Sequence, residues 1–261
     1  MSKKKKIIWV ASIIIIISIL IYFFATRPKL SDFKMSDKTT EINKLKANNL
    51  KVAGWVSVEG TNIDMPIIMT DPGIHVYENL DSDYYSSIYS RPNSSSNHPT
   101  IVSHNVRNVS RNPIVGDNTM TGFEQLMSFI YPEFIEKNQY MAYTNRDGKQ
   151  SLYKIYAVAL LKNDQSASYK DTYTEEEQAK YIETSKDESM YDMDVDVQDT
   201  DKLLSLMTCT RFYGNTTAYS FRVDARELRE NEKQVLTKVK TNNRYKKIEK
   251  RMKEGIKNEE A

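Results

Sequence analysis

The chain has 261 residues, with 37 Lys and Arg against 35 Asp and Glu, one Cys, three His and 17 Tyr. A single thiol excludes an internal disulfide framework and any metal site built on several thiolates. A composition of 39% apolar and 28% charged residues fits a globular body and excludes a multi-span membrane protein. The net charge of +2 gives no sign of a nucleic-acid partner, but it averages unlike parts. Residues 1–29 hold six basic residues and no acid, and residues 231–261 hold ten basic and five acidic ones, which leaves −9 for residues 30–230.

In chain order, residues 1–6 are a Lys-rich start, and Ile7 to Phe24 is an uncharged run of 18 residues dominated by Ile. At about 1.5 Å per helical residue the run reaches roughly 27 Å, close to one hydrocarbon core. A cleaved signal peptide has a shorter apolar region that ends in small residues, and here the run ends Tyr22-Phe23-Phe24-Ala25-Thr26-Arg27. An uncleaved transmembrane anchor is expected over 7–24. The Lys cluster then stays in the cytoplasm, which puts everything after Arg27 outside a cell membrane crossed once.

Residues 25–51 read as a helical stalk, with Met35, Ile42, Leu45 and Leu50 as its apolar positions. From Val52 the pattern changes to strands: Gly54–Val58, a turn at Glu59-Gly60-Thr61, then Asn62–Met69, where Pro66 favours an edge or a bend. Asp71–Asn97 reads as a long loop, and Thr100–Ser103 as a short strand ending at His104. Phe123–Ile130 has helical spacing, broken at Pro132. Tyr140–Thr144 and Gln150–Leu161 flank an Asp-Gly hairpin signal at 145–148. Thr174 before Glu175-Glu176-Glu177 predicts a capped helix over 174–185. Leu203–Thr208 reads as a buried strand that delivers Cys209, and Ala218–Ala225 as a final strand. Seven or so strands with few helices favour a closed β-barrel or sandwich over a βαβ array. Residues 229–261 form a charged tail, helical or flexible, with a stripe at Val235, Val239, Tyr245, Ile248, Met252 and Ile256; its excess Lys also suits contact with an anionic lipid or wall polymer.

Cys209 stands at a strand end among Thr208, Thr210 and Arg211. A lone Cys is commonly a buried small hydrophobe. An unpaired exposed thiol outside the cell is a liability unless it reacts. A Cys nucleophile needs a base or a nearby cation. His75, in a loop, and His98, before Pro99, read as solvated; His104 ends a strand as Cys209 does, and leads as its partner. Asp192, Asp194, Asp196 and Asp199 lack the Gly and distal Glu of an EF-hand loop and read as a solvated acidic loop.

Thr100-Ile101-Val102-Ser103-His104-Asn105 resembles the strand-to-His-Asn segment of the sortases, the wall-anchoring cysteine transpeptidases of Gram-positive bacteria. Leu206-Met207-Thr208-Cys209-Thr210 is similar to their Thr-Leu-x-Thr-Cys signature. Gly60-Thr61-x-Ile63-Asp64-x-Pro66-Ile67, then Phe123-Glu124-Gln125-Leu126 and Tyr140 to Ala157, follow in the family's order over roughly 52–228. The helices at 34–50 and 174–185 resemble those of class B. The resemblance implies a closed barrel of about seven to eight strands with a few peripheral helices over 52–228. It also implies a thioacyl-enzyme on Cys209, with His104 as acid and base and no cofactor or metal. The substrates implied are sorting-motif-bearing secreted proteins, and the acceptor is a peptidoglycan-precursor amine or a pilin Lys.

The family's Arg lies on the strand after the Cys. Aligning that strand through Val223 and Ala225 puts Ser220 at the position. Arg222 shares its face two residues on, and Arg211 follows Cys209 in the loop. Arg222 is the expectation and Arg211 its alternative, while Arg226 reads as a surface charge. Thr208 and Tyr181 are expected to help bind substrate, although Tyr169, Tyr173 and Tyr181 also suit simple aromatic packing. Two other readings remain: a different envelope cysteine enzyme, whose Cys-Gly-x-Cys or Ser-His-Gly-Cys blocks are missing here, and a non-catalytic membrane-anchored adhesion or scaffold module.

Overall fold

A computed structural model describes residues 9, 13–18, 28–48, 52–68, 86–88, 96–103, 105, 122–162, 172–210, 212 and 219–259. The chain divides into two units, Met1–Leu30 and Ser31–Ala261. In the first, residues 13–18 are helical, and most of the apolar run at 7–24 lies outside the described residues. Among the described residues no helix is long and apolar enough to cross a membrane. Among the described residues the large apolar side chains left exposed are Trp9, Ile13, Ile14, Ile15, Ile16, Ile17 and Leu30, all of this unit.

The second unit is built on one eight-stranded sheet: β1 (Val52–Val58), β2 (Asp64–Ile68), β3 (Ser86–Ile88), β4 (Thr100–Ser103), β5 (Tyr140–Asn145), β6 (Gln150–Lys162), β8 (Leu203–Thr210) and β9 (Tyr219–Glu227), with β7 (Tyr191–Met193) outside it. The order is β2-β1-β5-β6-β9-β8-β4-β3. The end strands β2 and β3 lie side by side without a ladder between them, so the sheet curls into a nearly closed barrel. β7 pairs with β10 (Val239–Thr241) as a separate ribbon. Helices α1 (Thr39–Ala47), α2 (Pro132–Ile135), α3 (Glu175–Glu188) and α4 (Asn243–Glu259), with the 3-10 segment Glu124–Ile130, pack around it. The expected barrel is therefore present.

Alternation in the strands puts Leu204 and Leu206 of β8 and Phe221, Val223 and Ala225 of β9 into the barrel interior, with Val56, Ile67, Ile101, Phe129 and Ile155. The opposite face of β6, β8 and β9 is covered by α3, where Tyr156, Tyr173, Tyr181, Ile182 and Leu203 form a second cluster. A bulge between Ile155 and Ala157 makes this possible: it leaves Tyr156 unpaired and turns it toward α3.

Local chemistry explains most element boundaries. Gly60 turns β1 into β2 at φ +74°, and a Cβ there would sit 2.3 Å from Asn138 Oδ1. Thr61 Oγ1 donates to Val58 O at 2.9 Å, and Asp64 accepts from Trp55 Nε1, Ser57 Oγ and Lys38 Nζ. The Gly-Thr-x-Ile-Asp motif is thus a turn-and-clamp device. Thr174 and Glu177 form a reciprocal capping box on α3. Among the described residues of the stalk expected at 25–51 the helix is α1, and it is docked: Ile42 packs on Val52, and Lys46 Nζ donates to Arg146 O. The C-terminal stripe is docked as well, since Tyr245 and Ile248 of α4 are buried in the main core.

Candidate active site

Cys209 is the exposed seventh residue of β8, at the barrel rim. Partial burial of the thiol itself, which disfavours the charged thiolate, pushes it above the usual cysteine range. On the same outward face of β8 follow Met207, Ser205 and Leu203, and across the ladder lie Ser220, Arg222, Asp224 and Arg226, paired in that order from Cys209.

The strand on the other side of β8 is β4, and among the described residues this is the one parallel pair in the sheet. Its register runs Thr100 to Ser205, Ile101 to Leu206 and Val102 to Met207. Thr208 Oγ1 donates to Ser103 O at 2.8 Å, and Asn105 Nδ2 donates to Cys209 O at 3.3 Å. Both neighbours of position 104 are therefore fastened to the Thr208–Cys209 segment. His104 and Arg211 lie outside the described residues, as do His75 and Tyr169. Thr208, expected to bind substrate, is fully buried with its hydroxyl given to this strand clamp.

Arg222 shares the face of Cys209 but is 1% exposed. Its Nε donates to Asp224 Oδ2 at 2.7 Å, its second terminal nitrogen to Glu188 Oε2 at 2.9 Å, and its guanidinium stands over the Tyr181 ring. It faces Met207, two pairs along from the Cys209–Ser220 pair, which is roughly 7 Å of strand. Arg226 is not a solvated surface charge: it is buried and holds Glu232 with two bonds of 2.6 Å.

Tyr181 is buried under α3, and its hydroxyl donates to Asp224 Oδ1 at 2.9 Å. His98, expected to be solvated, is fully buried against the Tyr173 and Tyr181 rings. Ser205 Oγ gives its one proton to Asp224 Oδ1 at 2.5 Å, so its 2.7 Å contact with His98 requires Nε2 to be the donor. His98 is then a neutral Nε2–H tautomer. Burial holds it neutral, lowering its pKa to about 4, with the Asp224 charge opposing and the Arg222 charge assisting. Ser205 is four residues from Cys209, roughly 13 Å along β8, so His98 is out of reach as the thiol's base. Sequence reasoning missed this network, and only the polar Ser205 and Asp224 within apolar strands signalled it.

Of the acidic run, Asp196 pairs with Arg229 at 2.6 Å, and Asp192 accepts from Asn242. Among the described residues no three or more His, Cys, Asp or Glu gather to hold a metal.

A nearly closed barrel with a lone thiol at its rim, and a strand ending in Ser-His-Asn bound beside it, defines a class of fold with known members. The chain is 26% identical over 188 residues to sortase B of Staphylococcus aureus, covering 68% of this chain and 70% of that one. The structure of Clostridium perfringens sortase B matches with a TM-score of 0.60 and 25% identity, over 72% of this chain and all of that one. A Staphylococcus aureus sortase B–substrate complex shares the fold at a TM-score of 0.58 and 18% identity, over 82% of this chain and 92% of that one. No family profile matches. The chain is similar in sequence and in fold to the sortases, and its likenesses among them are to class B.

Proposed function

We propose that the protein is a membrane-anchored cysteine transpeptidase acting outside the cell. The observation that supports this is the fastening of Ser103 and Asn105, the two residues that flank position 104, to Thr208 and Cys209. In this reading Cys209 Sγ attacks the Thr–Gly carbonyl of a sorting motif. Backbone N–H groups near Thr208 and Cys209 hold the oxyanion. The C–N bond breaks as His104 protonates the departing amine, leaving a thioacyl-enzyme. A second amine, from a peptidoglycan precursor or in the alternative from a pilin Lys, attacks that carbonyl. His104 takes its proton, the C–S bond breaks, and an amide is formed.

Arg222 is the cation proposed to help the oxyanion, with Arg211 as the alternative. Because Arg222 also binds Glu188 and Asp224, its replacement has a structural effect to be separated from a chemical one. The apolar run at 7–24 is the anchor, in keeping with the exposed Ile side chains at 13–17 and the Lys cluster before it.

The test is cleavage of fluorogenic sorting-motif peptides by residues 28–261. Wild type should cleave, and Cys209→Ala and His104→Ala should each fall by about 1,000-fold or more. Cleavage that survives Cys209→Ala, or a thiol inert to a methanethiosulfonate, would sink the enzyme reading in favour of a scaffold module. If Arg222 acts on the oxyanion, Arg222→Lys, assayed well below its own melting temperature so that the altered Glu188 and Asp224 bonds do not register as unfolding, loses about 100-fold in kcat. If Arg211→Ala alone loses activity at an unchanged melting temperature, the role belongs to Arg211.

A further inference from the structure

We infer that the outward face of α4 is a docking surface for an anionic lipid bilayer, holding the body down on the membrane that anchors it. The inference rests on the proposed membrane anchor and adds a second, electrostatic attachment to it. Helix α4 is strongly two-faced. Tyr245 and Ile248 are buried in the barrel core, and Met252 packs against it, so the apolar side is already occupied by this chain. At 100° per residue, the side opposite them carries Lys246, Lys247, Lys250 and Lys253, all exposed, with Glu254 as the one exposed acid there. Lys253 is paired with Glu249 at 2.7 Å and Lys250 lies 3.7 Å from Glu254, while Lys246 and Lys247 form no ion pair among the described residues. Arg244 and Arg251 flank the face and are also exposed.

Two further facts select a bilayer as the occupant. Residues 30–230 carry a net charge of −9, so the excess of basic residues in the body lies in its C-terminal part. The body also starts beside that part: Ser31 N–H donates to Gln234 O at 2.9 Å, and only six residues of chain separate Ser31 from Phe24, the end of the apolar run. Six or seven residues span at most roughly 25 Å. A membrane-embedded run thus leashes the body at the segment that leads into its most basic helix. Because Tyr245, Ile248 and Met252, the apolar side chains of α4 among the described residues, are used internally, the proposed binding is by charge. Each basic residue at an anionic surface strengthens partitioning about fivefold.

The test uses residues 28–261, which lack the apolar run. Among the described residues every buried apolar side chain lies between Ile42 and Ile248, so this piece keeps that core. Cosedimentation is measured with vesicles of phosphatidylcholine alone and with 30% phosphatidylglycerol. Binding is expected only to the anionic vesicles, is lost in 0.5 M salt, and falls at least about 100-fold in Lys246→Glu/Lys247→Glu/Lys250→Glu. That variant should keep wild-type melting and wild-type cleavage of soluble peptides, which separates this inference from the enzyme reading. Absence of binding to anionic vesicles at low salt would overturn it. So would retention of binding in the triple variant, or binding to a soluble glycerol-phosphate polymer with none to vesicles. Carbonate extraction of the full chain tests the anchor independently.

Discussion

His98 is the residue whose surroundings differ most from its sequence context. It follows Ser-Ser-Ser-Asn and precedes Pro, a run that reads as open loop, yet it is closed in by Tyr173, Tyr181 and Ser205. Those partners come from 75 to 107 residues further on, so no local pattern could announce them. The consequence is measurable. The folded imidazole titrates near pH 4, below its unfolded value of 6.5, so between these values the unfolded chain binds the extra proton. Stability from this group is fully present above pH 6.5 and is lost as pH falls to 4, by about 3 kcal/mol. Urea unfolding at pH 7 and pH 4 should show wild type losing that much more than His98→Gln; equal losses would mean that His98 is not buried neutral. The candidate nucleophile, by contrast, was legible: one Cys at the end of an apolar strand is a local signal. The state of Arg222 was not, because its carboxylate partners Glu188 and Asp224 come from a helix and a strand whose approach is tertiary.

Among the elements, those closed by their own chemistry were readable. The Asn145–Gly148 hairpin, the Gly60 turn and the α3 capping box all follow from residues within four of each other. Pro66 does lie on an edge strand. What sequence alone leaves open is which strands become neighbours; the β4–β8 pair joins residues 105 apart and has no turn to announce it. Helix α3 links these two kinds of element. Its start is local, but it roofs the Tyr181–Asp224–Arg222 network, so loosening its cap should reach the site. Thr174→Ala removes one side of the capping box and is expected to cost about 1 kcal/mol in urea unfolding. Thr174→Ser should restore most of it. A loss seen equally in both variants would show that the methyl group, not the cap, matters.

At the scale of the whole molecule, the C-terminal segment is part of the body and not an appendage. Besides Tyr245 and Ile248 in the core, β10 pairs with β7, and Tyr245 stacks 5.6 Å from Tyr191. Ending the chain at Asn242 removes two buried side chains and should cost about 3 kcal/mol or more. In a body of this size the melting temperature should fall by roughly 6–12 °C; an unchanged value would mean that α4 does not pack as described. The lone parallel ladder has a different consequence, in time. Hairpins β1–β2 and β5–β6 close over short stretches of chain, while the strands that carry positions 103–105 and 208–209 meet only across a loop of about 100 residues. Such long closures are the slow steps of folding. Cys209 therefore meets Ser220 early, across the β8–β9 hairpin, and gains its β4 neighbours late, so a half-folded chain carries the thiol with one of its two flanking strands missing.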